Sequence, residues 1–274
     1  MTIVTLLTDF GLKSSYVSQM KGVIASISPS SNIIDITHEV TPQNIREGAF
    51  ILRSAVSYFP IGSIHVAVVD PGVGTDRRGI VVITKKHVFV GPDNGLLMPA
   101  AHMLGDFIVY SIENTRYMLD TISNTFHGRD IFAPVAAHIS KGIPFESIGP
   151  RIYDYIDSQL PNAVFSDDSV YSTVLHIDRF GNIITNIDGK SFQNFVKYGE
   201  EILISLQGED YKLRFLENYA SADKGELLVV IGSSNFVEIS MNQGNAAGKL
   251  DVKPDDHIEF HLNQKVSKSS DNVV

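Results

Sequence analysis

The sequence contains no cysteine among its 274 residues. Disulfide bonds, a thiolate nucleophile and cysteine-ligated zinc are therefore excluded. Basic residues are also scarce, because 22 Lys and Arg stand against 31 Asp and Glu, for a formal net charge of −9. Such an acidic chain is a poor partner for nucleic acid or for an anionic membrane surface, and we expect it to bind neither. No uninterrupted apolar run reaches the length of a membrane span.

The chain does have enough apolar residues for a substantial core, since 43% are apolar and only 19% are charged. Its length suits one large domain or two ordinary ones. Residues 3–7 read as a β-strand rather than as part of a basic leader, so we see no signal peptide. We therefore expect a cytoplasmic protein.

Strand and helix patterns alternate through the first half of the chain. Apolar residues recur every three or four positions over 43–58, which predicts a helix. Short β-branched runs such as 32–36 and 63–69 predict strands. Strands that alternate with helices favour a mostly parallel sheet covered on both faces, so we predict an α/β sandwich domain over residues 1–150.

The pattern changes after residue 150. Residues 151–168 are mixed in character and are predicted to be a linker. From 169 to 263 the apolar runs are short and fairly evenly spaced, with Gly and Asn between them, which indicates a smaller antiparallel, β-barrel-like domain. The polar residues 264–274 are predicted to form a disordered tail. The predicted fold class is α/β with an added β domain.

Two short loops carry the side chains of greatest chemical interest. Asp70 and Arg77 lie in a glycine-rich segment after the strand at 63–69, and His127 precedes a predicted helix at 131–140. Side chains at the carboxyl ends of parallel strands converge on one crevice. A carboxylate, a guanidinium and an imidazole in such a crevice can hold and deprotonate a water molecule, which points to hydrolysis or displacement.

Each of these residues also has a structural interpretation. An Asp before Pro-Gly, as at Asp70, often caps a turn through its own backbone. Arg77 and Arg78 can be solvated surface charges, the commoner fate of an adjacent pair, and His127 can bind a local carbonyl. The residues alone leave both the role of Asp70 and the choice between the two arginines open.

A metal site is the main rival. Asp9, Asp70, Asp93, His127 and Asp130 can form an oxygen- and nitrogen-rich site for a divalent ion, as in a metal-dependent nucleoside or nucleotide hydrolase. Two neighbouring arginines would repel a cation, so we rank this alternative second and predict no bound metal. The glycine-rich loop also lacks the Lys-Ser/Thr ending of a P-loop, so a phosphate ligand is not expected.

Five motifs follow one another in the order seen in one protein family. They are Thr8-Asp9-Phe10-Gly11, Asp70-Pro71-Gly72-Val73-Gly74, Gly91-Pro92-Asp93-Asn94-Gly95-Leu96-Leu97, Phe126-His127-Gly128-Arg129-Asp130 and Asp178-Arg179-Phe180-Gly181-Asn182. On these motifs, residues 3–262 resemble the S-adenosyl-L-methionine (SAM) hydroxide adenosyltransferases, SAM hydrolases related to the SAM-dependent fluorinase and chlorinase. One tetrapeptide alone would be weak support, whereas five in register are strong.

The resemblance implies a reaction and its catalytic residues. Water or hydroxide would displace methionine from C5′ of SAM and give adenosine and L-methionine, with SAM as substrate and no cofactor. The family's triad is an Asp, an Arg seven residues later and a His further along, which selects Asp70, Arg77 and His127. Asp70 would accept the proton, while Arg77 and His127 would bind the hydroxide. A SAM-binding module without turnover stays a third alternative, which the complete triad weakly opposes.

Substrate-binding residues are also implied by the resemblance. Asp9 matches an Asp that binds the ribose hydroxyls, although as a residue it can equally cap the following helix. Asp178 matches a residue that pairs with the methionine ammonium group, Asn182 matches one that hydrogen-bonds adenine, and Phe180 would wall the pocket. The segment that holds these three residues can at the same time be a simple hairpin turn.

Two further residues match family positions in a stretch that contains gaps. Tyr219 would stack on adenine, and Ser233 would bind the methionine carboxylate. The halogenating relatives have an Arg where this chain has Ser234, and a methionine-binding Asp where it has Ser14. These departures leave the groups that bind the methionine carboxylate unidentified.

The resemblance finally implies an assembly. In the related enzymes each site forms between the first domain of one subunit and the second domain of the next. Such a head-to-tail arrangement must close into a ring if it is not to form filaments. We therefore expect a homotrimer with interfacial active sites, in which Asp9 and Asp70 of one subunit face Asn182 of another.

Overall fold

The structure, a computed structural model, describes residues 2–262. Contacts divide the chain into two compact units, Met1–Leu160 and Pro161–Val274. The division falls inside the segment 151–168 that we predicted to be a linker. The predicted tail at 264–274 lies outside the described residues.

The first unit is built on a seven-stranded sheet with strand order β2-β1-β3-β5-β4-β6-β7. In chain order the strands are β1 (Ile3–Thr8), β2 (Asn32–Thr37), β3 (Ile64–Val68), β4 (Gly79–Thr84), β5 (Val88–Pro92), β6 (Phe107–Ser111) and β7 (Arg151–Ile152). Strands β2, β1, β3 and β5 run parallel, whereas β4, β6 and β7 pair antiparallel with their neighbours. The predicted α/β class is confirmed, and the antiparallel edge is an addition to it.

Helices cover both faces of this sheet. They are α1 (Tyr16–Ile27), α2 (Ile45–Val56), α3 (Met98–Leu104) and α4 (Ala133–Ser140). Helix α1 packs against α4, and α2 packs against α3. Val66 belongs to the apolar cluster that contains residues of α1 and α4, whereas Ala67 belongs to the cluster that contains residues of α2 and α3. Successive residues of a strand point to opposite faces, so a strand buried on both sides must be apolar throughout.

Two core histidines lie at the amino ends of β3 and β5. The His65 ring stands 4.9 Å from the His87 ring, centroid to centroid, and its Nδ1 lies 2.7 Å from Thr5 Oγ1. Burial lowers the pKa of His65 to about 3, so its ring stays neutral in the folded protein near neutral pH. Asp70 follows the opposite end of β3, so these histidines belong to the core rather than to the strand-end loops.

The second unit is a barrel. Its strands are β8 (Val164–Phe165), β9 (Ser169–Ile177), β10 (Ile183–Asp188), β11 (Glu201–Leu206), β12 (Glu209–Phe215), β13 (Leu227–Ile231), β14 (Phe236–Met241) and β15 (His257–His261), with short helices α5 (Gly189–Phe192) and α6 (Ala246–Leu250). The strand order is β10-β14-β13-β12-β11-β15-β9-β8, and pairing of β9 with β10 closes the barrel. Strands β12 and β13 pair in parallel, and the other pairs that the structure describes in this unit are antiparallel. The predicted β-barrel-like domain is confirmed.

The barrel has two apolar clusters. Its interior holds Val237 and Ile239 of β14 among many other buried residues. A smaller cluster on the outer face consists of Leu216, Ala222, Leu228 and Val230. The segment 216–222 thus packs on the outer face of β13, and its Tyr219 hydrogen-bonds Glu238 of β14; we call it the outer segment. No helix within residues 2–262 is both long enough and apolar enough to cross a bilayer.

Candidate active site

Arg77 joins Asp70 and His127 in the first unit. Its Nη2 donates to Asp70 Oδ2 at 2.6 Å and lies 3.0 Å from His127 Nδ1. The side chains of Arg77 and Asp70 are only 9% and 5% exposed. A pair shielded in this way is weakly screened by solvent, so its geometry is held by strong electrostatics. The structure therefore brings together the three side chains that we predicted to be catalytic.

Close contact between two loops makes this meeting possible. Gly74, in the loop that carries Asp70 and Arg77, has a φ of +79°, and a Cβ there would collide with the carbonyl oxygen of Asn124. Only glycine combines that backbone conformation with so close an approach. The partner loop is itself fixed, since Ser123 N donates to Asp130 Oδ2 at 2.8 Å. His127 directly follows this loop and begins the π-helical turn Gly128–Phe132.

The neighbouring Arg78 has a structural role. Its Nη2 donates to Asp93 Oδ2 at 2.9 Å, and its Nη1 donates to Asp154 Oδ1 at 3.0 Å. Asp93 Oδ1 in turn accepts from the Ile156 N–H at 2.8 Å. Arg78 and Asp93 therefore fasten the segment 154–156 to the sheet, and the geometry favours Arg77 as the arginine of the triad.

The motif that contains Asp93 also supports the Asp70 loop directly. Asn94 Nδ2 donates to the carbonyl of Val69 at 2.8 Å. Gly91 lies so close to Ala67 that a Cβ would collide with the Ala67 carbonyl oxygen. This motif thus positions the end of β3, from which Asp70 projects.

The contact with Arg77 fixes the tautomer of His127. A guanidinium has only donors, so His127 Nδ1 must be the acceptor and the ring proton resides on Nε2. Burial and the positive charge of Arg77 both lower the pKa of His127, and the charges of Asp70 and Asp130 offset only part of that shift, so the neutral ring is favoured. His127 therefore offers one N–H donor, Nε2–H, to a molecule bound beside it.

Asp70 keeps one oxygen for a ligand. Its Oδ1 is buried and has no hydrogen-bond partner among the described residues. Burial raises the pKa of Asp70, and the charge of Arg77 offsets only part of that shift. A carboxylate with a raised pKa is a stronger base, so Oδ1 is suited to accept a proton from a bound water.

Asp9 borders the same site. It follows β1, and its negative charge contributes to the raised pKa of Asp70. Its Oδ2 accepts from the Gln43 N–H at 2.8 Å, and Gln43 holds a φ of +67°, an uncommon conformation for a residue other than glycine. The residue preceding α1 is Ser15, so Asp9 does not cap that helix, and the structural alternative for Asp9 is wrong.

In the second unit a cavity of about 690 Å³ gathers most of the predicted binding residues. Asp178, Phe180, Asn182 and Tyr219 all line it. Ser233 is not among its lining residues and lies in an exposed turn between β13 and β14. Four of these five residues thus line one cavity, and Ser233 is not among its lining residues.

The segment Asp178–Asn182 is a turn as well as a cavity wall. Asp178 Oδ1 accepts from the Phe180 and Asn182 N–H groups, at 2.9 Å each, and Asp178 Oδ2 accepts from Asn182 Nδ2 at 2.8 Å. The hairpin interpretation is therefore correct, and it coexists with a binding role. These bonds leave Asn182 with its Oδ1 as acceptor and one Nδ2 hydrogen as donor, and they leave Asp178 with little remaining acceptor capacity.

The cavity is also lined by four residues that the sequence did not indicate: Met241, Gln243, Gly244 and Asn245. Asn245 caps α6 by accepting from the Gly248 N–H at 2.6 Å. The Ala247 N–H donates to the Gly181 carbonyl at 2.9 Å, which ties this loop to the hairpin. The polar run 242–245 after β14 was the one local signal, but nothing in it indicated a position beside a hairpin sixty residues away.

The rival metal site has no matching cluster in the described part of the chain. Within residues 2–262, no group of three or more His, Asp or Glu side chains is arranged to hold a metal ion. Two of the carboxylates that the metal hypothesis needs are already engaged by arginines, Asp93 by Arg78 and Asp130 by Arg129.

Fold and site together define a class of protein: an α/β unit that carries an acid–guanidinium–imidazole triad, followed by a β-barrel unit with a cavity lined by both polar and apolar side chains. Residues 4–149 match the family model for the SAM hydroxide adenosyltransferase N-terminal domain. Residues 172–259 match the model for the C-terminal domain of the same family. The chain belongs to the SAM hydroxide adenosyltransferase family.

Individual relatives agree over nearly the whole chain. The (R)-S-adenosyl-L-methionine hydrolase of Methanocaldococcus jannaschii is 40% identical over 268 residues, which cover 94% of this chain and 95% of the relative. A fluorinase of Nocardia brasiliensis is 25% identical over 92% of this chain and 94% of its own. The crystal structure of an uncharacterized conserved protein from Thermotoga maritima superposes with a TM-score of 0.89 at 41% identity, covering 94% of this chain and 99% of that one.

Proposed function

We propose that this protein hydrolyses SAM to adenosine and L-methionine. The observation that carries the proposal is the triad, in which Arg77 holds both Asp70 and His127 while Asp70 Oδ1 stays free. The names of the related hydrolases support it and specify the (R) form of SAM. We propose that this chain acts on the same form of the substrate.

The proposed step needs one water molecule and no other reactant. The water would accept a hydrogen bond from His127 Nε2–H and donate one to Asp70 Oδ1. Its oxygen forms a bond to C5′ while the C5′–S bond breaks, and the electron pair of that bond converts the sulfonium to the thioether of methionine. Asp70 takes the proton and later releases it to solvent. Arg77 orients both neighbours through Nη2 and remains protonated throughout.

Charge disappears as this reaction proceeds, which explains the use of a shielded site. A carboxylate and a sulfonium become a carboxylic acid and a neutral thioether. A site that excludes bulk water therefore stabilises the neutralising transition state relative to the separated charges. The low exposure of Asp70 and Arg77 meets that requirement. Holding the water in line with the C5′–S bond would lower the activation barrier further.

The binding residues divide between the two units in this proposal. Asp9 in the first unit would accept hydrogen bonds from the ribose hydroxyls. In the second unit Asn182 would bind adenine, Phe180 would form the pocket wall, and Asp178 would lie near the methionine ammonium group. The exposed Ser233 remains a weaker candidate for the carboxylate, because it does not line the cavity.

The product mixture tests this function. Purified protein incubated with (R)-SAM should release adenosine and L-methionine in equal amounts, and a chelator should leave the rate unchanged. Chromatography with standards identifies the products. S-adenosylhomocysteine or 5′-methylthioadenosine as the main product would contradict the proposal. Loss of activity in chelator, with recovery on adding a divalent ion, would favour the metal-dependent alternative, and tight SAM binding without products would favour a binding module.

We further propose that the protein forms a homotrimer with interfacial active sites, as the family resemblance implies. The supporting observation is that catalytic candidates lie in one unit, whereas the adenine- and methionine-binding candidates lie in the other. A site that needs both sets can be completed by a neighbouring subunit. The closed ring keeps such a head-to-tail contact from growing into filaments.

Mixing two inactive variants tests this assembly. Asp70→Asn damages the first unit and Asn182→Ala damages the second, so a mixed trimer should contain some sites with both halves intact. We expect partial activity after the two proteins are dissociated and reassembled together, and none when each is treated alone. Light scattering should give the mass of a trimer. Absence of rescue despite confirmed subunit exchange, or a fully active monomer, would contradict the interfacial site.

A further inference from the structure

Glu238 is a buried carboxylic acid that the proposed mechanism does not use. It lies on β14 opposite Val230 of β13, on the outer face of the barrel, and only 7% of it is exposed. Its neighbours Val237 and Ile239 point into the barrel interior. Alternation along the strand would leave an outward Glu in solvent, but the outer segment 216–222 covers this one.

The side chain reaches between two elements that matter for the site. Glu238 Oε2 accepts a hydrogen bond from the Tyr219 hydroxyl at 3.1 Å, and Tyr219 lines the cavity. On the other side, a Cβ on Gly232 would collide with Glu238 Oε1. The glycine therefore makes room for the carboxyl group, which is built into the wall behind the cavity.

The hydrogen bond assigns the protons of this pair. Burial raises the pKa of Tyr219 to about 12, so the phenol keeps its proton near neutral pH. The ionised form of Glu238 has only acceptors, so Tyr219 donates its proton to that form. The phenol oxygen, which the Ser240 hydroxyl also approaches, can then act only as an acceptor towards a further group. An acceptor of this kind favours a ligand that brings its own N–H groups.

The charge of Glu238 has no cationic partner in the described part of the chain. Burial raises the pKa of Glu238, the Tyr219 hydroxyl lowers it, and the negative charge of Asp178 raises it again, with no Lys, Arg or His contributing. Two neighbouring carboxyl groups without a counter-charge produce a negative potential at this wall. Asp178, which lines the cavity, already accepts three hydrogen bonds within its own hairpin turn. Glu238 supplies a second acidic group beside Asp178.

We propose that Glu238 is a positioning residue that sets specificity for the α-ammonium group of the substrate. It holds the hydroxyl of the cavity-lining Tyr219 as a pure acceptor, and in its ionised form it supplies, with Asp178, the negative potential that an ammonium group requires. The ring face of Tyr219 stays available for adenine. This inference rests on the proposed function, since it assigns a role within the same substrate pocket.

Two substrates that differ only in the amino group test the inference. Glu238→Gln keeps the size of the side chain and removes its charge, so KM for SAM should rise about tenfold, the scale of a weakened charge-assisted hydrogen bond, with kcat within about twofold. KM for the SAM analogue that lacks the α-amino group should stay unchanged. Calorimetry with L-methionine and with 4-(methylthio)butanoate, its deaminated counterpart, gives the same comparison without turnover.

The chain offers a matched control. Glu259 on β15 lies opposite Tyr171 on β9, and its hydrogen bond raises the pKa of Tyr171. Neither residue lines the cavity. Glu259→Gln should therefore leave both substrates unaffected. Tyr219→Phe removes the same hydrogen bond from the other side, and it should lose selectivity for the amino group without adding to the effect of Glu238→Gln.

The outcomes separate the two proposals. An equal loss for both substrates, or no loss for either, would show that Glu238 is merely structural or irrelevant while SAM hydrolysis stands. If the wild-type protein binds SAM but makes no adenosine, the proposed function fails and the calorimetry still decides the role of Glu238. If the wild-type protein binds neither SAM nor methionine, both proposals are wrong. Should Glu238→Gln fail to fold, the selectivity of Tyr219→Phe decides the role of Glu238 instead.

Discussion

Replacing Asp70 by Asn should lower kcat for SAM on the order of 10²-fold or more, the usual scale for removal of a general base. The amide keeps the size of the side chain and can still accept from Arg77, whose Nη2 lies 2.6 Å from Asp70 Oδ2. Its amide nitrogen then replaces Asp70 Oδ1, and an N–H group cannot accept the proton of the water. SAM binding should stay within a few-fold of wild type by calorimetry, because the substitution removes no proposed contact to the nucleoside or to methionine.

The pH dependence of kcat provides a second test of the same variant. Since burial raises the pKa of Asp70 above its ordinary 3.8, protonation should abolish the base at a pH higher than for an exposed Asp. Wild-type kcat should therefore fall on acidification, and Asp70→Asn should lose that limb. Asp93→Asn is the matched control, because Asp93 also pairs with an arginine but fastens the segment 154–156, and it should keep the acid limb. An unchanged kcat in Asp70→Asn, or complete loss of SAM binding with the fold intact, would contradict the role of Asp70 as base.

Replacing His127 by Ala should cost a similar factor, on the order of 10²-fold in kcat, because the same water loses its donor. The double variant Asp70→Asn/His127→Ala should be little worse than either single variant, since both residues act on one water molecule. Nitrogen NMR of labelled wild-type protein should show the His127 proton on Nε2. Because burial and Arg77 lower the pKa of His127 below its ordinary 6.5, the ring should take up a proton at a lower pH than a free imidazole.

Independent contributions would contradict this account. If the losses in kcat from the two single variants multiply in the double variant, Asp70 and His127 act at separate steps. A proton found on Nδ1 would also contradict it, since Arg77 cannot accept a hydrogen bond. Each variant should be compared at equal folded fraction, since the contacts of Arg77 also stabilise the loops.

Local patterns were sufficient to predict much of the fold. The three- and four-residue recurrence over 43–58 predicted α2, which the structure gives as Ile45–Val56. The antiparallel edge was missed, although the turn at 85–87 between β4 and β5 is too short for a parallel crossover. The parallel pair β12–β13 had no such local signal, because the outer segment that connects these strands is irregular.

The site residues likewise divide into those that local motifs predicted and those whose role depends on residues far away in the sequence. Asp70 and His127 were found because their motifs are local. The contrast between Arg77 and Arg78 depends on the partners of Arg78, Asp93 and Asp154, which lie 15 and 76 positions away and which nothing next to the arginines indicates. Glu238 was missed for a related reason, because its burial arises from the covering outer segment and not from the alternation of its own strand.

Hydrolysis in water enriched in oxygen-18 tests the central claim most directly. If water activated by Asp70 attacks C5′, the adenosine formed from (R)-SAM should carry one oxygen-18 atom at its 5′-hydroxyl, and the L-methionine should carry none. Mass spectrometry of the separated products, with fragments that isolate the ribose, locates the label. Adenosine without the label, or label found in the amino-acid product, would show that water does not attack C5′ and would contradict the account.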